Sequence, residues 1–103
     1  DIDYRITLLG PVRVERAGEI VRGFESRRAL ALLCYLAAQG RPQTRVHLAD
    51  LFWPDKSEAR GRGNLSRVLN NLNALLPGCV VADRETVTFN AAVCWLDVTA
   101  FVR

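Results

Sequence analysis

Arg67, Asn70 and Asn71 lie within five positions of one another, and Arg60, Arg62 and Asn64 precede them in the same stretch. Arginine can offer two parallel N–H groups to guanine O6 and N7, and asparagine can pair with adenine N6 and N7. Arginine also pairs with phosphate, which gives affinity and orientation rather than sequence choice. Thr44, Arg45 and Arg84 carry the same chemistry elsewhere in the chain. This residue set suits a double-stranded polyanion with readable base edges. Arg67 is the candidate guanine contact, and Asn70 and Asn71 are candidate adenine contacts. Arg60 and Arg62 are placed on phosphate or guanine, and Arg45 on phosphate beside a helix start capped by Thr44. Arg84 is placed on a minor groove or a phosphate. Asn64 joins the set as the first residue of Asn64-Leu65-Ser66-Arg67.

Other chemistries have less support. The three cysteines, Cys34, Cys79 and Cys94, form no CxxC pair and sit among apolar neighbours, so they read as reduced, buried thiols. His47 is the single histidine and reads as an exposed side chain at a helix start. No Ser/His/Asp or Cys/His set suggests an enzyme. Gly61 and Gly63 lack the preceding strand and following Lys-Ser/Thr of a phosphate-binding loop. Neither a metal nor a cofactor is expected. No stretch is long and apolar enough to span a membrane, and a cytoplasmic location is expected. The net charge of +3 is compatible with a nucleic-acid partner without requiring one.

At 103 residues, half of them apolar, the chain suits one domain around one core. Tyr4 to Leu9 and Val12 to Arg16 read as strands, Ala17 to Glu19 as a turn, and Ile20-Val21 as a short third strand. Ser26 caps a first helix over Arg27 to Gln39, which is apolar over a wide arc and ends at Gly40. Thr44 caps a second helix that stops at Trp53-Pro54, because proline lacks an N–H and disfavours helical geometry before it. Trp53 is expected to wedge the second helix against the third.

The third helix runs from Glu58 to about Leu76. Its apolar stripe is Leu65, Leu69, Leu72 and Leu76, and its opposite face carries Arg60, Gly63, Arg67, Asn70, Asn71 and Ala74. Cys79 to Ala82 and Thr86 to Phe89 form a hairpin around Asp83-Arg84-Glu85. The expected fold is α+β: a winged helix-turn-helix with a small antiparallel N-terminal sheet, three helices and a C-terminal hairpin wing. Trp95-Leu96-Asp97-Val98 begins a further element. Residues 1–97 are expected to form the domain and 98–103 to open a following helical one. The missing Met and the start at Asp1 fit a piece of a longer protein.

The order of elements resembles an OmpR-type winged helix. The local motifs are narrower: Arg27-Arg28-Ala29-Leu30-Ala31-Leu32-Leu33, Gly40-Arg41-Pro42, Leu48-Ala49-Asp50-Leu51-Phe52-Trp53-Pro54-Asp55, Asn64-Leu65 and Trp95-Leu96-Asp97-Val98. Together they resemble the N-terminal domain of the antibiotic-regulatory-protein (SARP) family, the bacterial transcriptional activators. The resemblance implies sequence-specific binding to direct repeats, with domains side by side. It places the third helix in the major groove and the wing on the adjacent minor groove or backbone. It further implies C-terminal helical domains in the same parent chain, and RNA polymerase as a further partner. Asn70-Asn71-Leu72-Asn73 departs from the family, whose members commonly carry basic residues there. That departure motivates an alternative expectation, a winged-helix protein-interaction module with reduced or no DNA binding.

Overall fold

The computed structural model describes residues 4–7 and 12–96. The expected helical start at 98–103 lies outside them, as do Asp97 and the Leu8-Leu9 end of the first predicted strand. The architecture is α+β, with three helices and two small sheets among the described residues.

The first sheet contains β1 (Tyr4–Thr7), β2 (Arg13–Arg16) and β3 (Glu19–Ile20), paired antiparallel. Alternation sets its faces: Tyr4, Ile6 and Val14 are buried, whereas Arg5 and Arg13 are exposed. Between β2 and β3, Ala17 and Gly18 both have positive φ, at 54° and 82°. A two-residue loop of that hand matches the twist of the strands it joins.

The sheet has a fourth strand, β7 (Cys94–Leu96), which pairs parallel to β1 with Ile6 opposite Leu96. The run read as opening a further element therefore begins by returning to the first sheet. A parallel partner needs a long crossover, and here the three helices and the hairpin supply it.

The helices are α1 (Arg27–Gln39), α2 (Arg45–Phe52) and α3 (Glu58–Leu75). Ser26 Oγ accepts from Ala29 N at 3.1 Å, and Gly40 closes α1 with φ 67°. Leu32, Leu33 and Leu36 of α1 are fully buried, while Leu30 and Cys34 pack at the core's margin. On α3 the expected leucine stripe is buried and Val68 widens it. These side chains share one cluster with Ile6, Leu48 and Val87. The Tyr4 hydroxyl donates to Pro77 O at 2.5 Å, tying the first sheet to the chain just beyond α3.

The second sheet has strand order β4-β6-β5, formed by β4 (Gln43–Thr44), β5 (Val80–Ala82) and β6 (Thr86–Phe89). The hairpin was expected. Its third strand, in which Gln43 pairs with Val87 and Thr44 with Thr86, was not. Two residues are too few for any alternation to register.

No helix among the described residues is long and apolar enough to cross a membrane.

Candidate nucleic-acid interface

Helices α2 and α3 meet at close range where Gly61 faces Ala49. A Cβ built on Gly61 would lie 3.4 Å from Ala49 Cβ and 3.5 Å from Ala49 O, ordinary contact for a methyl. Trp53, buried as expected, closes α2 with its N–H on Ala49 O at 2.9 Å. Ser57 Oγ then caps α3 by accepting from Arg60 N at 3.3 Å. Gly63, by contrast, faces open space.

The start of α2 is fastened to the hairpin. Thr44 Oγ1 accepts from His47 N at 3.1 Å, the predicted cap. Arg45 N donates to Glu85 O at 2.8 Å, and Arg45 Nε donates to Asp83 O at 2.7 Å. The Arg45 side chain, expected on phosphate, thus holds the β5–β6 loop. Within that loop Asp83 Oδ1 accepts from Glu85 N at 2.8 Å and Thr86 N at 2.7 Å. The Thr86 and Glu85 amides, helped by the Thr86 hydroxyl and the nearby Arg45 charge, hold the Asp83 carboxyl below the usual aspartate range. Arg84 stands exposed at the loop tip, and its side chain makes no hydrogen bond or ion pair with the described residues.

On α3 the predicted residues divide. Arg60 and Asn70 are exposed, with side chains that make no such bond among the described residues. Arg62 pairs with Glu58 one turn earlier, at 3.5 Å. Arg67 is held twice: its Nε donates to Glu25 Oε1 at 2.6 Å and its Nη1 to Asn64 Oδ1 at 2.9 Å. Asn71 is half-buried and uses both ends of its amide within the chain. Its Oδ1 accepts from Glu25 N at 2.9 Å, and its Nδ2 donates to Gly23 O at 3.2 Å. The segment before α1 is thereby stitched to α3.

Glu25 and Asp83 are the organising carboxylates that residue-by-residue reading misses. Asp83 has a local signal, since an aspartate two and three positions before amides it can accept from is a common turn device. Glu25 has none, because its partners lie more than 40 positions away.

Beside the Arg67–Glu25 pair lies an open groove of about 570 Å³, lined by Ser26, Arg27, Arg28, Phe52 and Trp53. The Arg28 guanidinium sits 5.7 Å from the centre of the Trp53 ring, within cation–π range. His47 is exposed, as expected at a helix start, and its Nε2 lies 3.1 Å from the Tyr35 hydroxyl.

Cys34, Cys79 and Cys94 are free thiols; burial raises the Cys34 pKa and pushes that of Cys79 up to about 12. Among the described residues no three His, Cys, Asp or Glu side chains gather as metal ligands.

No protein-family model matches the chain, and no curated protein matches it significantly.

Proposed function

We propose that this domain is a winged helix that binds double-stranded DNA, with α3 as the helix that enters the major groove and the β5–β6 hairpin as the wing. The observation that carries the reading is the solvent face of α3, where Arg60 and Arg67 stand exposed, with Arg62 on the opposite flank, on a helix packed tightly against α2. That pair of helices, joined by a short turn, is the arrangement that helix-turn-helix proteins present to a groove. The fastening of the hairpin to the start of α2 by Arg45 supports its role as a second arm of fixed orientation. The family resemblance points the same way, to a cytoplasmic transcriptional activator of the antibiotic-regulatory type binding direct repeats. On that reading the domain works beside further domains of a longer chain and in reach of RNA polymerase.

Arg67 is assigned to guanine, Arg60 and Arg84 to phosphate or groove, and Asn70 to a base edge. Arg62 reaches phosphate by leaving Glu58, a surface pair worth only ~0.5 kcal/mol. Thr44, Arg45, Asn64 and Asn71 shape the site.

Selection of duplexes from a random-sequence library, with salt titrated, tests the proposal. Enrichment of a repeat motif is the expected result, and Arg67→Ala then weakens binding to it by about 1–3 kcal/mol. Unchanged affinity in that variant refutes the assignment of Arg67.

A second reading, a protein-interaction module, is favoured by one observation. Val46 and Leu51 on α2 and Val81 on β5 are large apolar side chains left 47–60% exposed. A library that yields no enriched motif favours this reading over DNA binding.

A further inference from the structure

Arg67 is the residue on which sequence choice rests in the proposed complex, and the structure does not leave it loose. Its guanidinium has five N–H groups. Nε–H is taken by Glu25 and one Nη1 hydrogen by Asn64, which leaves one N–H on Nη1 and both on Nη2. An end-on fork to the two acceptors of guanine takes one N–H from each Nη, a number these remaining groups supply.

Glu25 is itself held in place. Its backbone N–H is bound by Asn71 Oδ1, and Gly23 two residues earlier is bound by Asn71 Nδ2. The Glu25 side chain is 24% exposed against 57% for Arg67, so the carboxylate is the fixed partner and the guanidinium the outward-facing one.

From this geometry we infer that Glu25 is a positioning residue for base recognition. It orients Arg67 for a two-bond contact with guanine, and Asn71 acts one step behind it by anchoring the Glu25 backbone. The inference rests on the DNA-binding reading and names a residue outside the predicted contact set. An exposed carboxylate–arginine pair contributes little to stability. A carboxylate at a DNA-facing surface also opposes phosphate. Glu25 therefore weakens general affinity while it sharpens choice. A purely structural residue would support both.

The test uses the 103-residue chain, the duplex selected from the random library, and a scrambled duplex of the same composition. Each guanine of the selected duplex is replaced in turn by 7-deazaguanine, which lacks the N7 acceptor. The guanine whose replacement is penalised in the wild type but not in Arg67→Ala is the one Arg67 reads. At that position Glu25→Ala is expected to shrink the penalty by about two-fold or more, since 7-deazaguanine removes one of the two acceptors of a bidentate contact. Its affinity for the scrambled duplex stays level or rises. Glu25→Gln, which keeps an acceptor for Arg67 Nε, retains most of the penalty.

A full penalty in Glu25→Ala overturns the inference and leaves the DNA-binding reading intact. So does an equal loss of affinity for both duplexes together with a lowered melting temperature, which marks a structural role. A wild-type chain that selects no motif overturns the DNA-binding reading, and the inference with it.

Discussion

Asn70 and Asn71 are chemically identical neighbours on one helix, yet alanine is expected to shift stability in opposite directions at the two positions. At Asn71 alanine removes two hydrogen bonds, from Glu25 N and to Gly23 O. A typical bond of this kind contributes ~1 kcal/mol net. Gly23 and Glu25 are exposed, so both stranded backbone groups find water and no buried orphan is created. The loss therefore stays near two ordinary bonds, and alanine's better helix propensity offsets roughly 0.5 kcal/mol of it. The net cost is about 1–1.5 kcal/mol.

At Asn70 the side chain is exposed and makes no bond among the described residues, so only the propensity gain remains, roughly 0.5 kcal/mol in favour of the variant. For a domain of this size each kcal/mol moves the melting temperature by about 4–8 °C. Asn71→Ala is thus expected to melt roughly 6–16 °C below Asn70→Ala, measured by circular dichroism at equal concentration. Equal melting temperatures for the two variants, or a more stable Asn71→Ala, would refute the stitching of residues 23–25 to α3.

Other perturbations read other parts of the same architecture. Gly63→Ala places a methyl in open space inside a helix, so it is expected to raise stability by ~1 kcal/mol, visible as a higher urea midpoint. Gly61→Ala is expected to be tolerated, with a urea midpoint no lower than the wild type's, because its Cβ would meet Ala49 at ordinary contact distance. Asp83 has a lowered carboxyl pKa in the folded chain. Its contribution is therefore present above the ordinary aspartate pKa and is lost as pH falls through the folded value. Amide exchange at Glu85 and Thr86, corrected for its intrinsic pH dependence, is expected to lose protection in that acid window, and Asp83→Asn to abolish the pH step.

Helices α1 and α3 were legible because each repeats its apolar pattern over several turns, and α2 because a cap and a proline bracket it. Ser26, Thr44 and Ser57 each cap the helix that follows, and Gly40 ends α1. Strand β4 was not legible, because two residues hold no period and Gln43-Thr44 looks like a loop leading to a cap. Nor was the parallel return of β7 to β1, a pairing across about 90 positions that depends on the fold being complete. At the candidate site, residue type gave the inventory of hydrogen-bonding groups but not their state. Asn71 and Arg45 both have the chemistry to contact DNA; the folded chain uses both ends of the Asn71 amide on its own backbone, but of Arg45 only the Nε–H, on Asp83 O. Only tertiary proximity tells Asn70 from Asn71.

The division among the arginines follows a common physical logic. Arg45 holds a loop backbone, Arg67 is braced by Glu25 and Asn64, and Arg60 and Arg84 carry no such tie among the described residues. A side chain that must meet two acceptors at fixed positions benefits from being held beforehand, since ordering a long side chain on binding costs ~1 kcal/mol. A side chain that meets a diffuse row of phosphates gains little from such bracing and keeps its freedom. In the proposed complex, braced Arg67 thus supplies choice of sequence, while untied Arg60 and Arg84 supply salt-dependent affinity. The asparagine-rich second half of α3 fits the same scheme. It gives up charge that would strengthen general binding, and spends one asparagine on the segment that carries Glu25. On the DNA-binding reading, the recognition chemistry is thereby concentrated at Arg67, which the fold braces through Glu25 and Asn64.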